Sequence, residues 1–273
     1  MQEMTETHKE IAVIILCAGL LLVFLRVALR YFYKGNITLF DIFIKVKPLT
    51  NKEKTLLTTF LLPFNNFPPK QKDRFVKRLQ WLRSKKRFVC YGELDNKEEI
   101  KLFICAAIAL LTLGMKKFQL SRSVARIIVY PSKYYSKIKR RHHLGEYNPA
   151  YKSLVFSADT LEEGFHIPND NRNLALHEIA HALCFETKGV NSWEARKFQF
   201  GLRKLTEILS SEEFRGQLAE EGYFREYGLE NSYEFFAILT ESFIESPNEF
   251  KGKYEQLFKI VQTMYGFDFR FRP

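Results

Sequence analysis

The run Leu174-Ala-Leu-His-Glu-Ile-Ala-His-Ala-Leu183 constrains this chain more than any other stretch of ten residues. His177 and His181 are four residues apart, so on a helix they project from one side, a turn from each other. A single Zn²⁺ can take a ring nitrogen from each at about 2.0–2.1 Å. Glu178 then stands beside the metal, placed to take a proton from water held there. Leu174, Leu176, Ile179, Ala180, Leu183 and Cys184 surround the motif, which predicts a largely buried helix. Burying His, Glu and His together without a cation leaves polar groups to satisfy at about 1–3 kcal/mol each. The spacing therefore predicts a metal site, with zinc-dependent hydrolysis as its chemistry.

A catalytic zinc takes three protein ligands and keeps one position open. A third histidine six residues after the second is absent, because position 187 is Thr. Glu186 is rotated off the metal face. Two carboxylates compete for the role. Glu194 lies in Ser192-Trp-Glu-Ala-Arg196, and Glu234 in Ser232-Tyr-Glu-Phe-Phe-Ala-Ile-Leu-Thr-Glu-Ser-Phe-Ile-Glu245. The second segment has helical periodicity, with Glu234, Ala237, Ile238 and Glu241 on one face. Carboxylates on so apolar a face are costly to bury unless a cation compensates. Glu194 lacks that setting and reads as a surface partner of Arg196 or Lys197. The residues favour Glu234.

The 273 residues are 46% hydrophobic, enough for one core of ordinary domain size. A net charge of +11 points to an anionic neighbour, nucleic acid or anionic lipid. Cys17, Cys90, Cys105 and Cys184 show no paired spacing, which favours free thiols in a reducing compartment. Ile11–Leu25 carries no charge, and Val27, Ala28 and Leu29 extend it. Arg26 and Arg30 can snorkel toward headgroups, and Tyr31-Phe-Tyr33 would sit at the interface. Glu3, Glu6 and Glu10 ahead of it have the wrong sign for a secretory leader. Lys and Arg concentrate after the span, so the expectation is a single-pass anchor in the inner (cytoplasmic) membrane with a cytoplasmic C-terminal part. On that side the acceptor-like Asn36-Ile-Thr38 has no role.

The expected organisation is a tail over 1–10, a transmembrane anchor over 11–30, a juxtamembrane connector over 31–70 and a catalytic domain over 71–273. Lys72–Lys86 reads as an amphipathic helix with Phe75, Val76, Leu79 and Leu82 inward and a basic solvated face including Arg78. Asn96 and Glu99 look like a capping box for a helix whose apolar centre, Leu102–Met115, is too short to span a bilayer. Gly114 would help to end it. Ala125–Tyr130 and Leu154–Ser157 read as strands. Between them, Lys133, Lys137, Lys139, Arg140, Arg141, His142 and His143 read as a basic loop. Adjacent histidines point apart and make poor joint ligands. His166 reads as merely hydrogen-bonded. No nucleic-acid reader motif accompanies the charge, so nucleic-acid binding is not expected.

With these motifs in hand, the chain resembles the Mlc titration factor A family of zinc peptidases, whose catalytic core is similar to anthrax lethal factor. The resemblance rests on His177-Glu-x-x-His181 and on Glu234-Phe-Phe-Ala237-Ile-Leu-Thr-Glu241, closing at Ser246-Pro247. Gly92-Glu-Leu-Asp95 and Ile127-Ile-Val-Tyr-Pro131 add weaker landmarks, so that it spans about residues 60–265. The anchor departs from the soluble family pattern. The resemblance implies that His177, His181 and Glu234 ligate zinc and that Glu178 is the general base. It also implies that Tyr227, seven residues before Glu234, donates to the oxyanion of the intermediate. The alternative for Tyr227 is a plain surface residue in a polar turn. Glu241 would orient a ligating histidine or pair with a nearby Arg. The implied fold is α+β and zincin-like, with an N-terminal helical part and one transmembrane helix before it. A peptide or protein would be the substrate. The family also implies a second role, sequestering a transcriptional repressor with peptidase activity secondary.

Overall fold

The computed structural model describes residues 6–34, 46–115, 118–136, 140–167 and 169–269. It divides into two compact units, Met1–Lys45 and Val46–Pro273. Among the described residues, the first unit holds one helix, α1 (Glu6–Lys34). Its stretch His8–Ala28 is long and apolar enough to cross a bilayer; a secretory signal or a core helix meets the same criterion. Residues 35–45 of the expected connector, with Asn36-Ile-Thr38, lie outside the described residues, as do Lys137 and Lys139 and the side chains of Arg30 and Tyr31–Tyr33.

In the second unit the expected connector is partly core. Thr50 and Glu53 form a reciprocal capping box that starts α2 (Asn51–Phe60), and α3 (Leu62–Asn65) follows. Leu57, Leu61, Phe64 and Phe67 are buried, because their spacing puts one apolar stripe against the domain. The compact unit thus begins at Val46, well before residue 71. In α4 (Pro69–Lys85), Phe75, Leu79 and Leu82 point inward as expected. Arg78 does not belong to the solvated face. It is buried and donates to the carbonyls of Thr112 and Met115, capping the end of the next helix.

That helix, α5 (Lys97–Leu111), is buried on every face beyond its first turns, which explains its continuous apolar run. The expected capping box at Asn96 is absent. Its side chain donates instead to Glu162 of α6 (Ala158–His166), a contact between elements 66 residues apart. After α5 the chain passes so close to the C-terminal helix that a Cβ on Gly114 would lie 2.2 Å from the Tyr265 carbonyl oxygen. Only glycine permits that approach.

The strands are β1 (Phe88–Cys90), β2 (Arg126–Tyr130), β3 (Tyr134–Ser136), β4 (Arg141–His143), β5 (Gly145–Asn148) and β6 (Ser153–Ser157). The main sheet has the order β1-β2-β6-β5. β1, β2 and β6 are parallel, and β5 is an antiparallel edge with Tyr147 opposite Leu154. Among the described residues of the expected basic loop over 133–143, β3 pairs antiparallel with β4, with Tyr135 opposite His142. Cross-strand pairing, including Tyr135 edge-on to His142, makes strands of residues whose own composition reads as loop.

The remaining helices are α7 (Leu174–Thr187), α8 (Trp193–Ser210), α9 (Glu212–Glu221), α10 (Ser232–Glu245), α11 (Pro247–Lys253) and α12 (Glu255–Tyr265). α7 packs against β5 and β6 on one side and against α10 on another. The four cysteines are free. Burial pushes the Cys105 thiol up to about 12 and raises that of Cys184 as well.

Candidate metal centre

Two capped helices carry the site. Asn173 accepts from the Leu176 amide at the start of α7, and Asn231 accepts from the Tyr233 and Glu234 amides at the start of α10. The caps fix where each helix begins, and so where His177 and Glu234 point. The His177 and His181 rings are 4.8 Å apart and nearly perpendicular. Their Nε2 atoms are 3.1 Å apart. Glu234 Oε2 lies 3.2 Å from His177 Nε2, and Oε1 lies 3.5 Å from His181 Nε2.

These separations test the fit of a metal. A tetrahedral zinc with bonds of about 2.0–2.1 Å holds its donors about 3.3 Å apart. The distances found, from 3.1 to 3.5 Å, agree with that geometry. Two imidazoles and a carboxylate are also a zinc donor set. Burial opposes a charge on His177, but hydrogen bonds to Glu234 and Glu241 outweigh it and raise its pKa to about 10. His177 and His181 hold the Glu234 carboxyl well below the usual carboxylate range. This pocket therefore favours a positive charge at the point where the three donors meet.

Glu241 is about two turns beyond Glu234 along α10, buried behind the histidines. Its Oε1 stands 2.8 Å from His177 Nδ1 and accepts from Arg225 Nη2 at 2.5 Å. Its Oε2 accepts from the Asn173 amide at 2.8 Å. Glu241 thus contacts both a histidine and an arginine. With Nδ1 engaged, Nε2 of His177 is the nitrogen that faces the cluster.

Glu178 is buried beside the donors, and its Oε2 accepts from the Tyr147 amide of β5 at 2.7 Å. Tyr227 lies in the 3₁₀ turn Glu226–Leu229, its ring 6.2 Å from that of His177. The Arg225 guanidinium sits 5.2 Å from the Tyr227 ring centre. Burial pushes the phenol up to about 12 despite the opposing pull of Arg225. Gly228 lets this turn lie on α10, since a Cβ there would meet Ile238 at 2.2 Å. A cleft of about 560 Å³ opens beside His177, lined by Glu178, Arg141, His143, Arg172 and Tyr227 among others.

The rejected candidates sit elsewhere. Glu194 is in the first turn of α8, outside the His177–His181–Glu234 group. Glu186 is buried off the metal face, accepting from the amides of Ser121, Arg122 and Ser123. His166 hydrogen-bonds the Glu162 carbonyl and packs on Phe60. Arg225, Asn173 and the Tyr147 amide were not anticipated from sequence. Asn173 was recoverable as a cap before an apolar helix. Nothing local marks Arg225, whose partner is on another element.

Against this geometry stands a match over most of the chain. The sequence model of the glucose-regulated metallo-peptidase M90 family covers residues 40–266. The chain belongs to the M90 family. M90 proteins are metallopeptidases, so a metal ion is implied, and the His–His–Glu group is where these residues can hold it. The mixed helix-and-sheet unit fits a zincin-like domain of that family. An uncharacterized protein of Synechocystis sp. is 23% identical over 234 residues, covering 80% of this chain and 85% of that protein.

Proposed function

We propose that this M90 protein is a membrane-anchored zinc peptidase of the His-Glu-x-x-His plus Glu type. The convergence of His177 Nε2, His181 Nε2 and the Glu234 carboxylate at zinc-compatible distances carries the reading. When bound, zinc would polarise a substrate carbonyl and acidify a water molecule. The chain's own residues divide the remaining work. Glu178, one residue after His177 and held by the Tyr147 amide, takes the proton from the attacking water and passes it to the leaving amine. Glu241 holds His177 in one orientation. Tyr227 keeps its proton at neutral pH and so can donate to the developing oxyanion.

The apolar stretch His8–Ala28, followed by Arg30 and Lys34, supports an anchor with the domain on the cytoplasmic side. Extraction of membranes at high pH should leave the chain in the pellet at full length. A shortened mature chain would identify a cleaved leader instead. For the chemistry, the test is metal analysis and peptide hydrolysis by the purified full-length protein. Folded protein that binds no zinc and cuts no peptide when zinc is added overturns the proposal.

A further inference from the structure

Two exposed aromatic rings adjoin the metal donors without being part of the polar cleft. Phe185 follows His181 by four residues, one turn further along the same face of α7. Tyr233 immediately precedes Glu234 in α10. Their rings stack at 6.1 Å and 25°. Both remain open to solvent, Phe185 at 37% and Tyr233 at 39% relative exposure. Tyr147 forms the floor. It is buried, its ring is 5.4 Å from that of Phe185, and its amide holds Glu178. Each element that builds the centre (β5, α7 and α10) thus contributes one aromatic side chain to a single shelf.

The polar cleft takes its α7 lining from the first half of the helix, Leu174, His177 and Glu178. The shelf lies toward the other end of α7, past His181. The donors stand between the two. Flanking residues on α7 do not share the exposure of Phe185, since Cys184, Glu186 and Thr187 are all buried. A chain crossing the donors would therefore lay one neighbouring side chain on aromatic rings and lead the other way into a polar cleft lined with Arg141 and Arg172 as well as Glu163 and Asp170.

We propose that Phe185 and Tyr233 form a subsite for a large apolar side chain. The substrate class is then peptides with Phe, Leu or Met next to the bond that is cut. This rests on the peptidase reading above. Apolar pockets discriminate by about 10–200-fold for each methylene gained or lost. An open shelf belongs at the low end, about ten-fold between Phe and Ala.

The test uses the purified full-length protein with zinc and fluorogenic peptides in which one residue at a time, on either side of the cleaved bond, is Phe, Leu, Ala or Glu. At one position Phe and Leu should exceed Ala about ten-fold in kcat/KM. That ratio should fall toward one in Phe185→Ala and in Tyr233→Ala, and remain intermediate in Phe185→Leu, with melting temperatures recorded for each. The same panel made non-cleavable, titrated by calorimetry, should show the same order of affinity. Cleavage without any Phe-over-Ala preference, or a preference that survives both Ala variants, overturns the subsite and leaves the peptidase reading intact. Phe185-dependent binding of apolar peptides without cleavage would instead remove the peptidase reading and keep the subsite.

Discussion

Glu241 Oε1 accepts from Arg225 at 2.5 Å while standing 2.8 Å from His177 Nδ1, so one buried carboxylate oxygen ties His177 to a guanidinium on another element. Removing the carboxylate frees the His177 ring and strands Arg225. Outer partners of ligating histidines are worth about 10–100-fold in metal affinity. Glu241→Gln should therefore weaken zinc binding by about that factor in a competition titration with a chelator. Unchanged affinity would show that Glu241 only serves Arg225.

Glu234 and Glu194 separate cleanly by metal content. Glu234→Ala leaves two histidines and should purify with little zinc, because a three-ligand site loses a third of its protein donors. Glu194→Ala should retain the wild-type stoichiometry. The reverse pattern would move the third ligand to α8.

Glu178→Gln keeps an oxygen to accept from the Tyr147 amide, so the fold and the metal content should hold. Hydrolysis should fall by about 10²–10⁴-fold, the usual contribution of a positioned base. A variant that cuts peptides at near wild-type rate would exclude Glu178 as the base.

Tyr227→Phe preserves the ring beside His177 and under Arg225 while deleting the hydroxyl. Loss of one oxyanion donor costs about 10²–10³-fold in kcat, with KM little changed. Because burial holds the phenol up to about 12, the wild-type rate should show no loss from Tyr227 ionisation between pH 8 and pH 10. A change confined to KM would reassign Tyr227 to substrate binding.

Glu245 makes stability depend on pH. One of its carboxyl oxygens is buried without a partner. Burial, with the nearby Glu241 charge, pushes its pKa up to about 8. The folded chain thus holds this proton more tightly than the unfolded chain does. The stabilisation is complete below the ordinary carboxylate pKa and is lost as pH rises through about 8. Glu245→Gln should melt less differently at pH 5 and pH 9 than wild type, with about 2–4 °C for each kcal/mol involved. Parallel curves for the two proteins would show that Glu245 ionises normally.

Much of this was legible in the chain before any fold was known, and the limits follow a physical line. The pairing of His177 with His181, the apolar faces of α5 and α10, and the strands β2 and β6 are properties of side-chain period. Period acts over a turn or a pleat and needs no partner. The spacing of Glu234 from Ala237, Ile238 and Glu241 belongs to the same class, and it was enough to favour Glu234 over Glu194.

What required tertiary structure is whatever depends on two segments meeting. β3 and β4 are strands because they pair with each other. Arg78 is buried because α4 brings it to the end of α5. Asn96 abandons its capping box because Glu162 arrives from 66 residues away. The His177–Glu234 contact closes a gap of 57 residues, and the His177–Glu241 contact one of 64. A sequence can mark each donor by its local setting. Only the packing of α10 across α7 brings their atoms within the few ångströms that a metal ion requires.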